Sequence, residues 1–317
     1  YLPTNGEFYE KRWFCTLAPG ETRTVRLGDT ELPVSGDSTL LLSADGVRVG
    51  IELCEDLWSP LPPSTLLSLH GAEIVLNLSA SNELIGKREY RQELVRQQSA
   101  RALCAYAYVS AGSGESTSDL VFSGHSLVAS CGTTLKESDG YLADDYLFTA
   151  DVDIDRIRAD RMRQTSYRDA VSRYAAPAGI AAIPALFLPD NVPEDVRVPK
   201  HPFIPADKAT RQTRCEQIFA MQATALARRL AITGGKAVIG ISGGLDSTLA
   251  LLSACKAMDL MGKPRTNILG ITMPCFGTTD WTYQSALELM RTLGVSQREI
   301  PIHEAVRLHF RDIGHNE

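Results

Sequence analysis

The sequence lacks the features of several protein classes. No two of its seven cysteines are spaced Cys-X-X-Cys, which argues against a disulfide framework or a zinc site. No apolar run approaches the roughly 18 residues that span a bilayer, and no segment resembles a signal peptide. The net charge of -6 does not favour binding to nucleic acid or to an anionic membrane. We therefore predict a reduced, cytoplasmic protein.

The length of the chain sets how many domains to expect. Its 317 residues, 44% of them hydrophobic, can form about two domains with real cores. The first residue is Tyr1 rather than a start methionine, and the last, Glu317, comes soon after a helical pattern begins. We expect functional residues to lie beyond both ends.

The first part of the chain mixes strand and helix patterns. Apolar residues alternate from 47 to 53, which predicts a strand that ends just before Cys54. A helix is expected over 87–102, with Tyr90, Leu94 and Leu103 on its inner face. A second helix is expected over 154–163, and further strands over 73–78, 105–111, 120–122, 126–129 and 147–152. This mixture predicts a layered α/β domain over residues 1–175.

A proline-rich segment separates this part from the next. Seven prolines fall between residues 175 and 208, which predicts an extended connector over 176–206. From 207 to 317 helix and strand patterns alternate, which predicts a doubly wound parallel sheet. Helices are expected over 207–232, 247–261 and 282–293, and strands over 237–241, 267–272 and 299–302.

The strongest motif is Ser-Gly-Gly-Leu-Asp-Ser-Thr at 242–248. It joins a buried strand to a helix at the carboxyl edge of the sheet, where Gly243 and Gly244 let the backbone approach an anion. The helix N-terminus and nearby hydroxyls favour a phosphate, and Asp246 would need Mg²⁺ between itself and that phosphate. The glycine spacing is that of neither a Walker A loop nor a dinucleotide fingerprint. An ordinary Gly-rich turn is the alternative.

This motif resembles the pyrophosphate-binding loop of the ATP pyrophosphatases. The following segment, Gly-Ile-Thr-Met-Pro-Cys-Phe-Gly-Thr-Thr-Asp-Trp-Thr at 270–282, is similar to their NAD synthetase branch, in which it borders the adenosine of ATP. That family commonly has a basic residue where Trp281 stands, and a plain surface loop over 273–279 is the alternative. The resemblance implies binding of ATP or pyrophosphate by ten residues: Gly240, Ile241, Ser242, Gly243, Gly244, Leu245, Asp246, Ser247, Thr248 and Met273.

A second resemblance covers roughly residues 1–170. Three segments are similar to nitrilase-type amidases, most of all to the glutaminase half of NAD synthetase: 7–14, 50–58 and 77–82. The resemblance implies that Cys54 is the nucleophile, and that the family's Lys and Glu precede Tyr1. An inert, buried cysteine is the alternative.

The neighbours of Cys54 oppose thiolate formation. Glu55 and Asp56 are carboxylates that disfavour a second negative charge. A nearby Lys, and a Glu that accepts the thiol proton, are what the chemistry needs. We therefore expect residues 1–317 alone not to hydrolyse glutamine.

The resemblance also implies a glutamine pocket. The residues expected to contact glutamine are Asn5, Glu55, Trp58, Ser81 and Lys87, with Asn5 replacing the family's Tyr. Glu10 matches a carboxylate beside the catalytic Lys. On the residues alone, Lys87 could equally be a solvated helix start, and Glu10 part of a surface pair with Arg12.

Together the halves imply a glutamine-hydrolysing NAD(+) synthase. Its fold would be a nitrilase-like α/β sandwich followed by a doubly wound ATP-pyrophosphatase domain. Its substrates would be glutamine, ATP with Mg²⁺, and nicotinic acid adenine dinucleotide, and the family forms homo-oligomers. Two alternatives stay open: another glutamine amidotransferase of the ATP-pyrophosphatase class, and a degenerate, non-catalytic protein.

Overall fold

The computed structural model describes residues 10–18, 20–37, 39–43, 45–116, 120–141, 146–174 and 200–315, and the backbone of 183–184. The chain divides into two compact units, Tyr1–Val192 and Pro193–Glu317. No helix in the described ranges is long and apolar enough to cross a bilayer. The predicted connector lies mostly outside the described residues, so it and the domain boundaries stay predictions.

The first unit contains a hairpin and a seven-stranded mixed sheet. The hairpin pairs β1 (Thr22–Leu27) with β2 (Thr30–Ser35). The strands of the sheet are β3 (Leu40–Leu42), β4 (Arg48–Leu53), β5 (Ile74–Ser79), β6 (Ala105–Ser110), β7 (Leu127–Ser130), β8 (Thr133–Glu137) and β9 (Ile183–Pro184). Their order is β8-β7-β6-β5-β4-β3-β9, and the central strands β4, β5 and β6 run parallel. The carboxyl ends of these three strands therefore meet at one edge.

Helices cover one face of this sheet. They are α1 (Pro63–Leu69) and α2 (Lys87–Ala102). Two further helices, α3 (Ile154–Arg163) and α4 (Thr165–Tyr174), contact each other, and α4 packs on α1. α1 contacts β4, and α2 contacts β6 and β7; Leu67, Val75 and Val95 belong to the core between them. On the opposite face Leu53 and Val109 are 53% and 55% exposed. The described part of the unit is therefore a sheet with one buried face.

The structure corrects which faces are buried. Tyr90 is 53% exposed, so its place on the inner face of α2 was predicted wrongly; the buried residues of α2 are Arg91, Val95, Gln98, Ser99 and Ala102. Three of these, Arg91, Gln98 and Ser99, are polar, which hides the helical period from a hydrophobicity pattern. The alternation over 47–53 correctly predicts a strand, but Ile51 and Leu53 point to the exposed face and Glu52 is buried.

Several first-unit elements also differ from the prediction. Residues 120–122 and 147–152 form no strand. The hairpin, β8, α1 and α4 were not predicted, because each is short or rich in polar residues. Short elements of this kind are set by pairing and packing more than by local pattern.

The second unit alternates helices and strands. Its elements are α5 (Lys208–Ile232), β10 (Ala237–Gly240), α6 (Leu245–Leu260), β11 (Ile268–Thr272), α7 (Asp280–Leu293), β12 (Ser296–Glu299) and α8 (His303–Asp312). The three strands form a parallel sheet in the order β10-β11-β12, as predicted. The last strand lies at 296–299 and not at 299–302, because pairing with β11 selects the polar Ser-Gln-Arg-Glu segment, whose residues are largely exposed.

Candidate active site

Cys54 lies where β4 ends and a 3₁₀ turn, Cys54–Trp58, begins. Its φ is 40°, in the left-handed region that costs a residue with a side chain roughly 1–2 kcal/mol. The backbone N–H of Leu53 donates to Asp56 Oδ2 at 2.8 Å, so Asp56 fixes the turn from within it. The thiol is half-buried. A strained, partly accessible cysteine at a strand end is typical of a functional position rather than a packed core residue.

A buried polar network lies directly behind Cys54. Asn77 is fully buried, and its Nδ2 donates to the Cys54 carbonyl oxygen at 3.4 Å and to Tyr106 Oη at 3.0 Å. Tyr106 Oη donates to Glu52 Oε1, and the Ser64 N–H donates to Glu52 Oε2 at 2.6 Å. Burial raises the pKa of Glu52, and burial also raises the pKa of Tyr106, which keeps its proton.

Sequence reasoning missed these residues as site components. Asn77 begins the segment 77–82, and Glu52 and Tyr106 lie in predicted strands, but none of the three was predicted to have a role in the site. The one available signal was the carboxylate of Glu52, inside a predicted strand and two residues before Cys54.

The predicted glutamine-binding residues lie mostly on and beside the Cys54 turn. Glu55 is half-buried and follows Cys54 directly. Lys87 Nζ lies 5.6 Å from the centroid of the Trp58 ring and donates to Asn82 O at 2.6 Å and Oδ1 at 2.9 Å. Ser81 is 3% exposed, just beyond the end of β5. Lys87 is thus held against an aromatic wall and is not a freely solvated helix start.

Two further predicted residues are less well defined. Glu10 is half-buried in a short 3₁₀ turn, and no described residue hydrogen-bonds its buried Oε2. The place of Glu10 beside a catalytic Lys therefore stays a prediction. Asn5 lies outside the described residues.

A second buried network connects α2 to the edge of the sheet. Arg91 is fully buried, pairs with Glu83 at 3.2 Å and bonds His125 Nδ1 at 2.8 Å. The other ring nitrogen of His125 lies 2.8 Å from Glu137 Oε1. Because a guanidinium can only donate, Nδ1 must accept and Nε2–H must donate, so the imidazole is neutral. Burial and the charge of Arg91 lower the pKa of His125, against the opposing effect of Glu137.

The motif at 242–248 forms a tight loop between β10 and α6. Gly243 has φ 80°, and a Cβ there would overlap the backbone oxygen of Thr282, so the loop needs glycine at this position. Ser247 Oγ lies 3.1 Å from Ser242 Oγ and donates to the Gly244 carbonyl at 3.1 Å. The Thr248 hydroxyl donates to the same carbonyl at 2.9 Å. These bonds shape the loop around the N-terminus of α6.

The remaining predicted nucleotide residues surround this loop. Ile241 is buried and bonded to β11 through Ile271 O at 2.7 Å, while Leu245 and Met273 are 88% and 50% exposed. A Cβ atom added to Gly240 would lie 3.7 Å from the methyl carbon of Met273. These residues form an apolar border beside a loop rich in polar groups.

Asp246 is the candidate metal ligand. It is exposed in the first turn of α6, beside the Ser247 and Thr248 hydroxyls. In the described ranges no group of three or more His, Cys, Asp or Glu residues could hold a metal. One carboxylate does fit Mg²⁺ when phosphate oxygens and waters complete the coordination.

Family comparisons match both units. A model described as carbon-nitrogen hydrolase matches residues 3–162, and one described as NAD synthase matches residues 222–317. The chain is 40% identical over 323 residues to a glutamine-dependent NAD(+) synthetase of Mycobacterium leprae, covering 99% of this chain and 47% of the relative. The corresponding protein of Mycobacterium bovis is 39% identical over 324 residues, with the same coverage.

The chain spans about half the length of the curated relatives it matches. Among solved structures, a glutamine-dependent NAD(+) synthetase from Cytophaga hutchinsonii is 19% identical, with a TM-score of 0.41, and the match covers 99% of this chain and 48% of that one.

Proposed function

The chain belongs to the carbon-nitrogen hydrolase family, joined to an NAD synthase domain as in the glutamine-dependent NAD(+) synthetases, and we propose that it forms the glutaminase site and the ATP loop of such an enzyme. The observation that carries this proposal is the strained Cys54 at the end of β4, on a turn that ends at Trp58, whose ring lies against Lys87. The whole enzyme would convert nicotinic acid adenine dinucleotide, ATP and glutamine into NAD(+), AMP, pyrophosphate and glutamate.

The first reaction takes place at Cys54. Its thiolate attacks the carboxamide carbon of glutamine, and the C–N bond breaks as the nitrogen takes up a proton and leaves as ammonia. Water then cleaves the thioester to give glutamate and regenerate the thiol. The half-buried sulfur leaves room for this attack. The family resemblance supports a role for Glu10 in orienting the catalytic lysine.

Recognition of glutamine falls to the residues around the turn. The Lys87 ammonium, held over Trp58 and bonded to Asn82, is suited to the α-carboxylate of the substrate. Glu55 is suited to its α-ammonium group, and the Ser81 hydroxyl can donate to the carboxylate. Asn5 would supply a shorter polar contact than the family's Tyr.

The second reaction uses the loop at 242–248. ATP transfers its adenylyl group to the carboxylate of the dinucleotide, and ammonia displaces AMP from the resulting acyl adenylate. The loop amides and the α6 N-terminus stabilise the departing pyrophosphate, and the hydroxyls of Ser242, Ser247 and Thr248 hold the loop in shape through bonds within it. Mg²⁺ held by Asp246 and phosphate oxygens would neutralise charge there. Gly240, Ile241 and Met273 would border the adenosine.

The cellular location and the assembly state of the whole enzyme are also part of the proposal. All seven cysteines are free, which supports a reducing, cytoplasmic environment. The family resemblance supports a homo-oligomer.

The ATP half is tested in the full-length protein by Asp246→Asn. We expect NAD(+) formation from nicotinic acid adenine dinucleotide, ATP and Mg²⁺ to fall on the order of 100-fold with either glutamine or ammonium as donor. Asp259→Asn is the control, because that carboxylate lies near the other end of α6 and pairs with Arg265. Equal activity in both variants contradicts the role of Asp246, and no NAD(+) from wild-type protein with either donor contradicts the function.

A further inference from the structure

The backbone at Cys54 is held by the side chain of a neighbouring strand. Asn77 lies opposite Glu52 in the pairing of β4 with β5, so both side chains point to the helix-covered face of the sheet. Cys54 extends the same alternation two residues beyond Glu52. The Asn77 carboxamide therefore reaches the carbonyl of Cys54 at the point where the chain leaves the sheet.

The orientation of that carboxamide is fixed by its other partners. Asn77 Oδ1 accepts from Ser79 Oγ at 2.6 Å, and Nδ2 faces Glu52 Oε1 at 3.5 Å. A carboxylate can only accept, and so can a backbone carbonyl. The nitrogen must therefore point toward Glu52 and Cys54, and the amide cannot be flipped without facing oxygen with oxygen.

The far end of this network is anchored away from the site. Glu52 accepts from Tyr106 Oη on β6 and from the Ser64 N–H at the start of α1. Tyr106 in turn accepts from Asn77. Three strands and a helix thus converge on one carboxamide, and among the described residues it donates toward the candidate active site to the Cys54 carbonyl oxygen.

We propose that Asn77, oriented by Glu52 and Tyr106, is a positioning residue that holds the Cys54 peptide in its reactive left-handed conformation. The peptide following Cys54 is a rigid plane. One hydrogen bond to its carbonyl therefore also orients the Glu55 N–H, which belongs to the same peptide plane. The inference rests on the proposed role of Cys54 as the glutaminase nucleophile.

The test compares Asn77→Leu and Tyr106→Phe in the full-length protein. Asn77→Leu keeps the shape and removes the donor, and Tyr106→Phe keeps the ring and removes the hydroxyl. We expect kcat with glutamine to fall on the order of 100-fold for Asn77→Leu and about tenfold for Tyr106→Phe. KM for glutamine and NAD(+) formation from ammonium should stay within about twofold, because the ATP site is untouched.

A direct readout of Cys54 separates positioning from general damage. Alkylation of Cys54 by iodoacetamide, located by mass spectrometry, should slow in both variants. Gln92→Leu is the matched control: Gln92 is a half-buried carboxamide of this unit, but its Nε2 bonds Glu137 in the other network. It should change neither the glutamine kcat nor the alkylation rate.

Three results would overturn the inference. They are an unchanged glutamine kcat in both variants, a lower kcat with normal alkylation, and an equal loss in Gln92→Leu. If Asn77→Leu does not fold, Tyr106→Phe decides. A parallel Cys54→Ala variant tests the proposed function separately from the inference. If this variant still uses glutamine, the proposed function is refuted, whatever the result for Asn77→Leu.

Discussion

At the scale of single residues, two backbone conformations shape the two sites. Cys54 and Gly243 both have positive φ, 40° and 80°. Cys54 must keep a side chain, so its strain is tolerated and its carbonyl is tied to Asn77. Gly243 can have no side chain, because the backbone of Thr282 occupies that space. The Cys54 site thus depends on a residue whose backbone is strained although it has a side chain. The loop at 242–248 depends on a residue that has none.

Gly243→Ala tests the loop at 242–248. The added methyl group would overlap Thr282 and require an unfavourable φ, so the loop should open and NAD(+) formation should fall at least about tenfold with both nitrogen donors. Gly262→Ala is the control, because Gly262 also has a positive φ, 64°, but lies beyond the other end of α6, with nothing within 4 Å of a new Cβ. Steady-state kinetics with ATP varied measures both, and similar activities would contradict the account of the loop.

At the scale of elements, buried ionic contacts join α2 to β7 and β8. Arg91 on α2 bonds His125, which precedes β7, and His125 bonds Glu137 at the end of β8. Arg88 also pairs with Glu137, at 2.9 Å. Although burial opposes it, hydrogen bonds from His125, Arg88 and Gln92 lower the pKa of Glu137. The neutral His125 is therefore surrounded by Arg91, Arg88 and Glu137, and only its neutral form satisfies both outer partners.

His125→Gln tests this connection through pH. The folded pKa of His125 is lowered, so its contribution to stability is present above the ordinary pKa of about 6.5 and is lost as pH falls below it. The melting temperature of the wild type should drop between pH 8 and 5.5, and His125→Gln should flatten that drop. Glutamine can still accept from Arg91 and donate to Glu137. His201→Gln, at an exposed position, should show the same fall in melting temperature with pH as the wild type. The same fall in His125→Gln would refute the network's role.

The sequence predicts some helices and strands more accurately than others. Regular alternation in the second unit predicts α5, β10, α6, β11 and α7 to within a few residues, because each is long or strongly apolar. The polar strand β12 and the inner face of α2 depend on partners distant in sequence. Residues such as Arg91 and Glu52 look like solvated charges in the sequence, since only the folded chain brings Glu83 or Tyr106 to them.

At the scale of the whole molecule, the sequence identifies the family of each unit. The predicted nitrilase-like and ATP-pyrophosphatase classes are confirmed by the two family matches, and so is the resemblance to glutamine-dependent NAD(+) synthetases. Local motifs were sufficient for this, because the segment around Cys54 and the loop at 242–248 are each a continuous stretch of sequence. The supporting residues Asn77, Tyr106 and His125 were not predicted, because their roles arise from contacts between strands.

The most direct test of the account is nitrogen-donor use by the Cys54→Ala variant of the full-length protein. NAD(+) formation from nicotinic acid adenine dinucleotide, ATP and Mg²⁺ is measured with glutamine and with ammonium, beside a Cys15→Ala control at an exposed cysteine. The account predicts that Cys54→Ala loses the reaction with glutamine and keeps the reaction with ammonium, while the control keeps both. Undiminished use of glutamine by Cys54→Ala would contradict the assignment of the nucleophile and of the first unit's function.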